Sequence, residues 1–154
     1  MEGGVKAMTI LTHYERVKIE SMVRNCHVMK QEVADWRDRV ITGRPVKDTL
    51  SRANPHADPC ASAAVRLSMP PKRIAAYVEM VAAVEAAKRH AEARGRGRLW
   101  DVWYDAPGVT PVAAAQAFPM DTATLRRWRN DVEDDVAGLL GVKTLRDFFR
   151  FSGV

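Results

Sequence analysis

At 154 residues, 47% hydrophobic and 28% charged, the chain has the make-up of one average globular domain or two small helical units, which excludes a disordered or fibrous protein. No apolar run approaches the roughly 20 residues needed to cross a bilayer, and the opening MEGGVKAMTILTHYERVK meets charge too early for a secretory leader, so a cytoplasmic protein with no membrane partner is expected. A net charge of +5 and a pI near 9.5 fit a polyanionic partner without identifying one.

Helical periodicity runs along nearly the whole chain, and no stretch alternates polar and apolar residues long enough for a sheet. The first element, about Leu11 to Ile41, sets Ile19, Met22, Cys26, Met29, Val33, Trp36 and Val40 at steps of three and four, a heptad stripe. It either lies on the chain's own core or forms the seam of a homodimer. A connector rich in glycine, proline and small polar residues follows over 42–57. Asp58 then reads as an N-cap with Pro59 at the first helical position, opening a short helix to about Leu67. SMPP ends it, and a longer helix is expected from Pro71 to Ala93, with Ile74, Tyr77, Val81 and Val84 on one face. These elements make an N-terminal helical hairpin or small bundle, residues 1–93.

The segment RGRGR, Arg94 to Arg98, places two glycines and three positive charges together and reads as a hinge into a C-terminal unit, residues 94–154. Leu99 to Asp105 forms a short helix bearing Leu99, Trp100, Val102 and Trp103. APGV turns the chain, and Thr110 with Pro111 starts the next helix, whose Ala114, Ala115 and Phe118 face inward. Pro119 and Met120 make a second turn and Asp121 caps a third helix with a buried stripe of Leu125, Trp128, Val132, Val136 and Leu139. Ala115 is small where two helices joined by a short turn must touch. With that stripe inward, the 3.6-residue period turns Ala123, Arg126, Arg127 and Asn130 outward. Arg129 lies toward the buried edge.

The pattern is that of a helix-turn-helix, whose second helix enters the DNA major groove and meets base edges with its early residues. Arg126 and Arg127 suit guanine, Asn130 suits adenine, and Arg94, Arg96 and Arg98 suit phosphates, which position the protein without specifying sequence. Asp131, Glu133, Asp134 and Asp135 follow at once, and pairs with arginines four residues back are worth only a few tenths of a kcal/mol.

The stretch LWDVWYDAPGVTPVAAAQAFPMDTATLRRWRNDVEDDVAGLLG resembles the sigma-factor region-4-like domain of RinA/ArpU-type late transcriptional regulators of phages. ADPCASAAVRL is similar to the family's short segment DPTxxxAIRL, so the resemblance covers roughly 58–142. Pro119 stands where such turns usually carry glycine, and Asp121 where the cap is usually serine. The resemblance implies binding to double-stranded promoter DNA and contact with RNA polymerase. It also implies recognition-helix positions at Thr122, Ala123, Thr124, Arg126 and Arg127, mounted on Leu125 and Trp128.

Nothing points to catalysis or to a cofactor. His13, His27, His56 and His90 are scattered, no serine or cysteine lies in a nucleophile motif, and no phosphate-binding loop occurs. Cys26 and Cys60 lack metal-ligand spacing and read as free thiols in helix packing. An all-α DNA-binding transcriptional regulator of phage or prophage origin is therefore expected. The alternatives are a phage small terminase subunit, which also joins a helix-turn-helix to an oligomerising part, and a helical scaffold protein.

Overall fold

A computed structural model of the chain describes residues 11–43, 59–117, 120–141 and Leu145. Among them the fold is all-α, as expected. Its α-helices are α1 (His13–Arg24), α2 (Cys26–Thr42), α3 (Pro59–Ser68), α4 (Lys72–Ala93), α5 (Pro111–Ala117) and α6 (Thr122–Leu140), and a π-helical turn, Trp100–Tyr104, lies between α4 and α5. No helix among the described residues is long and apolar enough to cross a membrane. Most of the connector expected over 42–57, with His56, lies outside the described residues. So do Asp58, Phe118 and Pro119.

The single long helix expected over Leu11 to Ile41 is two helices. Asn25 breaks it: its side-chain Nδ2 donates to the Ser21 carbonyl at 2.9 Å, and its backbone leaves the helical region at ψ 11°. Short amides compete with the backbone for hydrogen bonds in this way, which makes them natural helix interrupters. A reciprocal capping box starts α1, since Glu15 N–H donates to Thr12 Oγ1 and Thr12 N–H donates to Glu15 Oε1.

The break leaves the apolar stripe on the inside. Ile19, Met22, Met29 and Val33 are buried, while Cys26 and Trp36 are half-buried against the same cluster. α4 covers much of it, with Ile74, Ala76, Tyr77, Met80, Ala83, Val84, Ala87 and Ala91 buried along its length. The chain's own helices thus bury most of the stripe offered as a dimer seam.

α4 packs along both α2 and α6, and α6 also packs on α1 and α5. One cluster of buried side chains accordingly runs from Leu11 through Met80 to Leu99, Leu125 and Val136, crossing the boundary drawn at residue 94. The segment there is a hydrogen-bonded turn rather than a slack hinge. Arg96 N–H reaches back to the Ala91 carbonyl at 2.8 Å and Gly95 takes φ +76°, which closes the helix in the left-handed manner that glycine permits. Gly97 sits so close to Glu92 that a Cβ there would meet Glu92 Cγ at 2.9 Å. Both glycines of RGRGR therefore serve a tight reversal, and Leu99 emerges from it fully buried.

Candidate nucleic-acid interface

α5 packs on both the π-helical turn and α6. Asp105 N–H donates to the Trp100 carbonyl at 2.7 Å, closing the wide turn that puts Trp100, Val102, Trp103 and Tyr104 all inside. Thr110 Oγ1 accepts from Ala113 N–H at 3.2 Å at the start of α5. Ala114 and Ala115 are the buried residues of this seven-residue helix, small enough for α6 to lie against it. Met120 N–H returns to the Ala115 carbonyl, and Asp121 Oδ1 accepts from Thr124 N–H at 2.6 Å to cap α6. That hydrogen bond holds the Asp121 carboxyl below its ordinary range.

The inward face of α6 differs in part from the expected stripe. Leu125, Val132 and Val136 are buried as expected, but Trp128 is half-buried and Leu139 is 49% exposed. Glu133 and Ala137 are buried instead. The helix is rotated so that the edge bearing Arg129 and Glu133 faces α1, and Trp128 turns toward the end of α4. There the Arg96 guanidinium lies 5.1 Å from the Trp128 ring centre.

The outer face places the candidate residues as follows. Thr122, Ala123, Arg126 and Arg127 are exposed. Thr124 and Asn130 are half-buried, and the Thr124 hydroxyl accepts from Arg127 Nη2 at 3.3 Å. Along the row Arg126, Asn130, Glu133, Ala137, spaced to share one side of a helix, the side chains pass from exposed through half-buried to buried. On this side of α6 the first turns are open to solvent and the later turns are covered.

The acidic run behind them is engaged by other parts of the fold. Asp131 accepts from Arg96 at 2.7 Å, Glu133 and Asp134 share Arg16 at 3.1 and 3.0 Å, and Asp135 lies 3.0 Å from His90 Nδ1. The arginines of α6 itself take no part in these pairs. Arg96 is thus engaged by Asp131 and Trp128 and is half-buried, and the side chains of Arg94 and Arg98 are exposed. The RGRGR arginines do not form one uniform phosphate-facing set.

The residues that fasten α6 to α1 have no signature in the sequence. Glu20 is their hub: it accepts from Trp103 Nε1 at 3.1 Å and Arg129 Nη2 at 3.0 Å, and lies 3.5 Å from Arg24 Nε. Arg24 in turn donates to the Trp103 carbonyl at 2.8 Å, and the guanidinium carbons of Arg24 and Arg129 lie 4.9 and 4.1 Å from the Trp103 ring centre. These partners are separated by 83 and 109 residues along the chain, beyond the reach of any local pattern. Nearby, burial pushes the Glu133 carboxyl up to about 7, against the pull of Arg16. Burial also raises the Tyr104 phenol, with the Glu133 and Glu20 charges adding to the effect.

Compared with protein-family models, curated proteins and solved structures, the chain matches none.

Proposed function

We propose that the protein binds double-stranded DNA through a helix-turn-helix, with the N-terminal half of α6 in the major groove, and acts as a transcriptional regulator of phage or prophage type. The observation that carries the reading is the exposed outer face of the first turns of α6. They expose Thr122, Ala123, Arg126 and Arg127 while Leu125 anchors the opposite side at 0% exposure. A groove-reading helix needs both properties, an accessible N-terminal face and a rigid mount. The electrostatics agree with it, because Asp131, Glu133 and Asp134 are paired with arginines from elsewhere in the fold and the two exposed arginines face solvent ahead of them. Arg126 and Arg127 are assigned to base edges and Arg94 and Arg98 to phosphates, with Thr122 and Ala123 packing near the groove floor. RNA polymerase is the second partner in this reading, and it rests on the family resemblance alone.

Selection of bound duplexes from a random double-stranded library tests the proposal directly. An enriched motif bound tightly by the wild-type protein, and about 1 to 3 kcal/mol more weakly by Arg126→Ala or Arg127→Ala with unchanged helicity, is the expected result. No enriched motif, or wild-type affinity in both variants, overturns it.

A further inference from the structure

The seam between α1 and α6 holds a carboxylate in surroundings poorly suited to its charge. Glu133 is 3% exposed and its ion-pair partner is Arg16, which is itself divided between Glu133 and the exposed Asp134. From α1, Glu20 also faces this region, a second negative charge engaged by Arg24, Arg129 and Trp103. The π-helical turn contributes Tyr104, whose buried hydroxyl has no hydrogen-bond partner among the described residues. On α6 itself, Arg129 pairs with Glu20, and its charge also favours the ionised form of Glu133. His90 of α4 is held by Asp135 and Arg96 by Asp131, and α5 carries no ionisable side chain. A buried ion whose one direct ion pair is shared, with only a second arginine's field beside it, gains little over its neutral form, because desolvation offsets the attraction.

We infer that Glu133 is a positioning residue that makes the seat of α6 on α1 proton-linked: the neutral acid lets the seam close, the carboxylate loosens it, and the exposed face of the first turns of α6 shifts with the seam. Its carboxyl is pushed up to about 7, so the change of state falls near neutrality, where modest pH differences alter it. The consequence for DNA affinity rests on the reading given under Proposed function. The proton-linked seam is measurable without DNA.

The experiment uses the full chain. Glutamate side chains are labelled with carbon-13 and the carboxyl shift of Glu133, assigned by its loss in Glu133→Gln, is followed between roughly pH 4 and pH 9. Amide exchange of α6, corrected for intrinsic rates, is measured in parallel. The expected midpoint is near 7, with Arg16→Gln raising it because a cation favouring the charged form is gone. Protection of α6 should fall several-fold across that midpoint in the wild type and stay level in Glu133→Gln. A midpoint in the ordinary glutamate range, or α6 protection that ignores the titration, overturns the inference. Arg16→Gln decides the matter even where Glu133→Gln folds poorly. With a selected duplex, affinity should fall through the same midpoint in the wild type. PH-independent affinity alongside a titrating seam refutes the positioning role, while no DNA binding at any pH sinks the DNA reading and leaves the seam result standing.

Discussion

Replacing Glu133 by glutamine removes a buried charge while keeping size and hydrogen-bonding shape, and its effect on stability should depend on pH in a calculable way. In the folded protein the carboxyl is raised from 4.5 to about 7. A raised acid favours the fold while it is protonated: the contribution is fully present below 4.5, declines as pH rises, and is lost above 7. The gap between the two values corresponds to about 3 kcal/mol of penalty carried by the wild type at pH 8 and absent at low pH. The pull of the Arg16 guanidinium at 3.1 Å is already contained in that value, so the penalty is net of the ion pair. Glu133→Gln should therefore be more stable than wild type by about 3 kcal/mol at pH 8, the difference shrinking by about 2 kcal/mol on going to pH 5.5. Urea unfolding followed by circular dichroism at both pH values, with equal slopes for the two proteins, gives the double difference and cancels every other titrating group. A difference that is the same at pH 8 and pH 5.5 refutes the reasoning, because Glu133 must then ionise alike in the folded and unfolded chain.

Leu125→Ala, which empties a site with 0% exposure beneath the outer face of α6, should destabilise the protein by about 2 to 5 kcal/mol in the same assay. Trp128→Ala should lose less than the roughly 3 to 5 kcal/mol of a fully buried aromatic, since the ring is half-buried. Because one core crosses residue 94, helical signal and tryptophan fluorescence should report a single transition in that variant, and two separated transitions would establish independent units. Arg94→Gln should flatten the slope of log affinity for DNA against log salt by about one, whereas Arg96→Gln should leave the slope unchanged and instead free Asp131. Equal slopes in Arg94→Gln and wild type would remove Arg94 from the interface.

What the sequence determined by itself was local. Proline and capping residues set the ends of α3 to α6 to within about a residue: Pro59, Thr110 and Asp121 stand where the helices begin because those residues satisfy, or do without, the first amide hydrogens. The outward phase of Ala123, Arg126 and Arg127 was legible for the same reason, as a 3.6-residue period needs only one buried residue, Leu125, to fix it. The capping box of Thr12 and Glu15 and the interrupting Asn25 were equally readable signals, masked by a heptad stripe that continues through the break. Tertiary structure alone decided the rest. Apolar periodicity says that a face is buried but not by what, so a stripe that could have joined two copies is mostly covered by the chain's own helices, and Glu133, polar by type, enters the seam because α1 brings Arg16 to meet it. Arg96 and Arg94 look alike in RGRGR. Only the packing of α4 against α6 gives one of them an aspartate and an indole and leaves the other at the surface.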